Sequence, residues 1–316
     1  MRTIPFPGTT VSISRIGIGG WQAGGTGPWG GGPTSDDEQS IAAIRRAVEG
    51  GVTWVETAAS YGLGHSEELI AHALRPWRVG EDVLVFTKCG HPWEPPDRIR
   101  TDLRPASIRR ECEDSLRRLE VERIDLYHFH HADPSVPVED SWSTMVDLVR
   151  EGKVRWAGVS NFGVDLLERC EAVRHVDSVQ PELSILRPAS AAAVIPWCRD
   201  HGTAVIPYSP QAGGLLGGAW DRGALETVPE AKRGGLTVGA LAGLLADLEG
   251  IATGLGASTG SLAIAWVLST PGVTAAICGA RRAAQVDGWM AASDMDLDAA
   301  TIDAVGKAML RAGIVF

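Results

Sequence analysis

Short apolar runs alternate along this chain with longer stretches whose apolar residues recur every three to four positions. The short runs cover residues 14–18, 52–57, 83–88, 124–130, 155–159, 178–180, 203–208 and 274–278. Buried strands separated by amphipathic helices are the pattern of βα units and a parallel sheet. Eight such strands in 316 residues predict an α/β fold of the closed (β/α)8 TIM-barrel type rather than an open sheet. Helix punctuation supports that frame. Ser35 and Glu38 read as a capping box ahead of IAAIRRAV, and Gly50 and Gly51 stop that helix. Pro105 stands where the first helical position of ASIRRECEDSLRRL belongs. Trp142, Met145, Val146 and Val149 share one face of a helix over 140–151, and 190–201 and 261–268 repeat the periodicity. A last helix is expected at about 299–310. Glycine clusters at 19–32 and 213–218 mark loops, and no linker or repeat interrupts the series. The chain therefore reads as one barrel domain over 1–316.

Composition narrows the partners. With 29 basic and 39 acidic residues the net charge is −10, which argues against nucleic acid or an anionic membrane surface. An anionic ligand needs a local basic group instead. Five scattered cysteines form no CxxC pair, so a reducing cytoplasmic setting is the simple expectation. No signal peptide or run of membrane-spanning length is evident.

The chemistry concentrates where strands end. WVETAASYG, VFTKCG and DLYHFHHAD each begin apolar and finish polar, and they place Glu56, Tyr61, Lys88 and His130 at or just after the ends of strands two, three and four. In a barrel these ends and their loops build the active site. A buried lysine beside a tyrosine stabilises phenolate and lowers the phenol pKa from about 10. A carboxylate keeps the lysine charged and oriented, and a histidine can hydrogen-bond the phenol or a substrate oxygen. The set can donate a proton to a carbonyl, with Tyr61 as general acid. Each residue alone is more often structural; the coincidence of four on successive strand ends favours an enzyme.

These segments resemble the aldo-keto reductase family, as do GKVRWAGVSNF, VQPELSIL, VIPYSPQAGGLLGG and AAICGARRAAQV, in family order, so that the likeness runs from about Ile16 to about Trp289. The resemblance implies NADPH-dependent reduction of an aldehyde, ketone or keto sugar, with NADH the less favoured cofactor. It makes Tyr61 the acid, Lys88 its pKa partner and His130 the substrate-orienting histidine. Glu56 stands where the family usually has aspartate. Ser160, Asn161 and Gln180 match the positions that hold the nicotinamide carboxamide, and Tyr208 matches the ring that stacks on the nicotinamide. Gly20 and Trp21 fall in the cofactor-binding set, as do Ser209, Gln211, Gly213 and Leu215 beside the pyrophosphate. Gly279, Arg281 and Gln285 complete it, with Arg281 placed for the 2′-phosphate. Trp289 replaces the asparagine usual at the adenine and is read as a packing residue. The substrate pocket is expected between Trp21, Trp29, His91, Trp93 and His131.

Two rival readings remain open from the sequence. His128 and His130 form an H-x-H on one strand face, as in metal-dependent barrel hydrolases, but the other strand-end ligands are missing and no metal is expected. An NADPH-binding sensor with weak turnover is the rival outside catalysis. The partner expected is a small carbonyl compound, not nucleic acid or membrane. The oligomeric state is not legible.

Overall fold

The computed structural model describes residues 1–26, 29–30, 36–94, 97–218, 220 and 222–315. Eight parallel strands form its centre: β1 (Ile16–Gly19), β2 (Trp54–Glu56), β3 (Leu84–Cys89), β4 (Ile124–Phe129), β5 (Val154–Ser160), β6 (Ser178–Gln180), β7 (Ala204–Val205) and β8 (Ala276–Gly279). They pair in chain order from β1 to β7, and β8 pairs with β1. The remaining seam is closed by Thr274 N donating to Val205 O at 2.8 Å and Ile277 N donating to Pro207 O at 2.9 Å. The expected barrel is therefore the observed architecture.

Alternation along the strands explains both the core and the mouth. Trp54, Phe86, Leu126 and Trp156 fill the interior, joined by Ile206 and Ile277. Val55, Val85, Tyr127 and Val159, pointing the other way, pack in the cluster shared with the helices. Successive side chains on a strand face opposite sides. The interior face therefore carries Glu56, Lys88, His130 and Ser160 up to the mouth, above an apolar plug. An antiparallel hairpin, Thr3–Pro5 with Ser12–Ser14, leads into β1 and adds Phe6 and Ile13 to the plug from below. Gly17 keeps β1 close: a Cβ there would lie 2.3 Å from the Trp54 ring.

The helices are α1 (Asp37–Glu49), α2 (His65–Leu74), α3 (Pro105–Leu119), α4 (Val138–Arg150), α5 (Val164–Glu171), α6 (Val194–His201), α7 (Arg222–Thr227), α8 (Val238–Gly254), α9 (Thr259–Ser269), α10 (Ala283–Met290) and α11 (Ala299–Arg311). Pro105 opens α3 as expected. The cap of α1 differs. Asp36, one residue after the expected cap, takes extended backbone and accepts from Gln39 N at 2.9 Å, while Ser35 lies outside the described residues. The stretch 190–201 is split into a 3₁₀ turn, Ala189–Ala191, and α6, which starts late enough to hold Pro196 in its first turn. β1 begins at Ile16 because Ser14 belongs to the hairpin. β7 shrinks to two residues. Among the described residues no single helix is long and apolar enough to cross a membrane.

Candidate active site

Lys88 organises the mouth. It is 1% exposed near the C-terminal end of β3, and Glu56 on the neighbouring strand is 4% exposed. Its Nζ donates to Glu56 Oε1, to Thr57 O at 2.9 Å and to Tyr61 Oη at 3.1 Å. All three ammonium protons are therefore spoken for. The ammonium also lies 4.8 Å from the centre of the Tyr61 ring. Tyr61 meets His130 edge to face, with ring centroids 5.6 Å apart. The four residues expected to act together do meet.

Burial works against the Lys88 ammonium, but Glu56 and Tyr61 together hold its pKa above the ordinary lysine value. Burial pushes the Glu56 carboxyl up, with Lys88 opposing. Burial also raises the Tyr61 phenol; Lys88 pulls it down and Glu56 adds to the rise, leaving it above 10. That net direction corrects the expectation that Lys88 alone would bring the phenol toward working pH: desolvation of the phenolate outweighs the single cation. Tyr61 is thus a held proton, not a phenolate. His130 is driven well below its ordinary value, first by burial and then by the field of Lys88, so its imidazole is neutral.

The expected substrate wall is partly assembled. Trp29 stands edge-on to His91 and His130, with centroids 4.7 and 5.4 Å away. His91 Nε2 and His131 Nδ1 are 2.9 Å apart. Trp21 is exposed at the rim. Trp93 belongs to a small hairpin and lies under the Arg118 guanidinium at 5.3 Å. His128 shares the inner face with His130, as alternation predicts, but its Nε2 lies 3.3 Å from Ser178 Oγ inside the barrel. Among the described residues no group of three His, Cys, Asp or Glu side chains is arranged to hold a metal ion.

The expected cofactor residues line the other half of the mouth. Ser160 Oγ donates to Gln180 O at 2.8 Å. Asn161 follows β5 in the left-handed region, φ +61°; its Nδ2 donates to His130 O at 3.0 Å, and its Oδ1 accepts from Tyr208 Oη at 2.9 Å. Ser209 is left-handed as well, φ +57°. Such backbone is strained for residues other than glycine and clusters at functional sites. Gln180 Nε2 is buried beside the Glu56 carboxylate, without a well-formed hydrogen bond, and its approach helps to lower that carboxyl's pKa. A buried amide whose hydrogen bond is incomplete can take a ligand carbonyl as a further partner. Gly213 and Gly214 have positive φ and nothing within 4 Å of a notional Cβ, leaving an open backbone ledge next to Gln211. Leu215 turns its side chain into the core, and its N–H donates to Ala212 O at 3.3 Å. Gly20 N donates to Glu56 O at 2.6 Å, tying the turn after β1 to the carboxylate's own backbone. Past Gly279, Arg281 is exposed. Gln285 Oε1 accepts from Arg281 N at 2.7 Å and Arg282 N at 3.2 Å, so it braces the turn that presents both arginines. Trp289 is buried, in keeping with a packing role. The open glycine ledge and the incompletely bonded Gln180 amide are compatible with a bound dinucleotide.

One residue was missed. Glu111 on α3 is buried, and its Oε2 accepts from Gly90 N at 3.1 Å and His91 N at 3.2 Å. Burial pushes its carboxyl up to about 8. The signal was available: Ile108, Glu111, Cys112, Ser115 and Leu119 form the buried stripe of α3, an acid on an otherwise packed face.

Comparison with known proteins agrees with this geometry. The model of the aldo/keto reductase family matches residues 15–309. A protein of Escherichia coli named NADH-specific methylglyoxal reductase is 30% identical, covering 98% of this chain and 100% of its own length. The solved structure of a glycerol dehydrogenase from Gluconobacter oxydans is 32% identical and superposes with a TM-score of 0.88 over 98% of this chain and 95% of that one. An aldo-keto reductase from Klebsiella pneumoniae, solved in complex with NADPH, is 26% identical, with a TM-score of 0.74 over 95% of this chain and 93% of that one. The chain belongs to the aldo/keto reductase family of nicotinamide-dependent oxidoreductases that act on carbonyl and alcohol groups.

Proposed function

We propose that the protein reduces an aldehyde, ketone or keto sugar to the alcohol with NADPH, using Tyr61 as proton donor. The observation that carries this is the Lys88 ammonium held between Glu56 and the Tyr61 hydroxyl, 3.1 Å from the latter, beside a neutral His130. A bound nicotinamide cofactor supplies hydride to the carbonyl carbon. The chain's own work is to handle the oxygen. The neutral His130 ring, centred 5.6 Å from the Tyr61 ring, is assigned to orient the substrate oxygen. Tyr61 keeps its proton at neutral pH because burial disfavours the phenolate. As charge develops on the substrate oxygen, Tyr61 gives up that proton and Lys88 stabilises the phenolate left behind. Glu56 keeps Lys88 charged and aimed throughout.

Ser160, Asn161 and Gln180 are assigned to the carboxamide and Tyr208 to the nicotinamide face. Ser209, Gln211, Gly213 and the Leu215 backbone are assigned to the pyrophosphate, and Gly20, Trp21, Gly279 and Gln285 to its borders. Arg281 is the cation for an adenosine 2′-phosphate in a chain of net charge −10, which favours NADPH. The Escherichia coli relative, by its name, takes the other cofactor. Tyr61→Phe tests the proton donor: on a panel of aldehydes, ketones and keto sugars, turnover should fall by about 10²- to 10⁴-fold. NADPH binding, read by fluorescence titration, should remain. Undiminished turnover in Tyr61→Phe would overturn the assignment.

A further inference from the structure

A directed chain of hydrogen bonds crosses the mouth from the cofactor side to the loop after β3. Asn161 Nδ2 lies 3.2 Å from His131 Nε2, His131 Nδ1 lies 2.9 Å from His91 Nε2, and His91 Nδ1 lies 3.4 Å from Arg100 O. Both ends fix its direction. An amide nitrogen only donates, so His131 Nε2 is an acceptor and His131 Nδ1 carries the proton. A carbonyl oxygen only accepts, so His91 Nδ1 carries the proton and His91 Nε2 is an acceptor. The two requirements meet without conflict at the central bond, His131 Nδ1–H to His91 Nε2. They need both imidazoles neutral, and burial lowers both from the ordinary value, His91 to about 4. The orientation of Asn161 is independently set, because its Nδ2, whose two protons serve three acceptors, also faces His130 O at 3.0 Å and Ser160 Oγ at 3.1 Å, and its Oδ1 accepts from Tyr208 Oη. The far end is anchored by Glu111, which accepts the backbone N–H of His91.

We infer that His91 is a positioning residue for the nicotinamide end of the cofactor, acting through His131 on Asn161. The inference rests on the proposed function, since it needs a nicotinamide cofactor at Asn161. His91 sits among the pocket-wall residues, yet both of its ring nitrogens are committed to this chain, so its polar atoms serve Asn161 rather than a substrate. Loss of the acceptor at His91 Nε2 leaves the His131 proton unpaired and frees that ring to turn, and Asn161 Nδ2 loses one of its three acceptors, keeping His130 O and Ser160 Oγ.

Tryptophan-fluorescence titration with NADPH tests this on the full chain. His91→Phe keeps the ring but removes the acceptor, and should weaken NADPH about three- to tenfold, the worth of one net hydrogen bond. His91→Gln, whose amide oxygen reaches the Nε2 position, should recover binding to within about twofold of wild type on the same scale. His131→Phe should weaken binding as much as His91→Phe, and the double variant no more than either single one, because the residues act in series. Wild-type affinity in His91→Phe, with only a raised KM for the carbonyl, overturns the inference and leaves His91 as pocket wall. If His91→Phe does not fold, His91→Gln against His131→Phe gives the same comparison. A wild-type protein that binds neither NADPH nor NADH instead overturns the proposed function itself.

Discussion

Glu56 is one methylene longer than aspartate, yet Lys88 keeps its bonds to Thr57 O and Tyr61 Oη while meeting it. The barrel has accepted the longer acid by placing its Oε2 under β1, where a Cβ on Gly19 would approach it to 3.4 Å. Glu56→Asp withdraws the carboxylate by about 1.5 Å. Lys88 must then follow it or lose it, and either outcome moves the ammonium relative to Tyr61. Turnover should fall about ten- to hundredfold with KM for the carbonyl little changed; unchanged kinetics on every substrate would show that the methylene has no functional weight. Glu111 offers a second test, through pH. Its folded pKa of about 8 lies above the ordinary 4.5, so the folded state holds this proton more tightly. That contribution to stability is full below about 4.5 and is lost as pH rises through about 8, on the order of a few kcal/mol. Glu111→Gln keeps the acceptor for Gly90 N and His91 N without the titration, so its unfolding midpoint should decline less than that of wild type across this range. Identical pH curves would remove Glu111 from the account. Glu56, Tyr61, Lys88 and His130 were legible because strand ends announce them. Glu111 was legible only in part: its place on the packed stripe of α3 could be read, but not the loop amides it accepts from. The Asn161 to Tyr208 bond was illegible for another reason: it depends on left-handed turns at Asn161 and Ser209, which those residue types do not prescribe.

At the level of elements, the eight strands were readable because each is a compact apolar run between turn signals, and all eight recur within a few residues of the expected bounds. Errors fell at the edges, where a side chain rather than periodicity sets the limit. Asp36 rather than Ser35 caps α1, and Pro196 delays α6. Helix α8 escaped notice because VGALAGLLADLEGIATG is rich in glycine, which lowers helix propensity; Thr237, accepting from Ala240 N at 3.2 Å, starts it nonetheless. The strand packing carries its own prediction. Trp54 stacks on Phe86 at 5.1 Å and presses on Gly17, so the interior has no room beside β1. Gly17→Ala should destabilise the protein by about 1–3 kcal/mol through overpacking, seen as a lower urea midpoint with an unchanged slope. A midpoint equal to wild type would mean that β1 can move outward, and with it Gly19 and the turn that holds Gly20 against Glu56 O.

The whole molecule divides its mouth into two arcs. Strands β2 to β4 carry the proposed acid, its cation and the histidines, and strands β5 to β8, with the turn after β1, carry the residues assigned to the cofactor. Chain order alone makes this division, since consecutive strands are neighbours around the barrel. It was legible as soon as the strands were counted, whereas the bridge between the arcs, through His131 and Asn161, needed coordinates. Away from that bridge the functions should be separable, because sites with no shared partner perturb binding and chemistry independently. Arg281 lies at the end of the cofactor arc, presented by the turn that Gln285 braces, and Tyr61 lies in the other arc. Arg281→Ala should therefore weaken NADPH about ten- to a hundredfold, the range of a charge-assisted bond to phosphate, and leave NADH affinity within about twofold. Turnover at saturating cofactor should stay near wild type, because nothing in the arc of β2 to β4 has changed. Equal losses for both cofactors would mean that Arg281 supports the fold of its turn rather than the 2′-phosphate, and the preference for NADPH would fall with it. A fall in saturated turnover would show instead that the two arcs are coupled, and the path for that coupling would be the chain from Asn161 to His91.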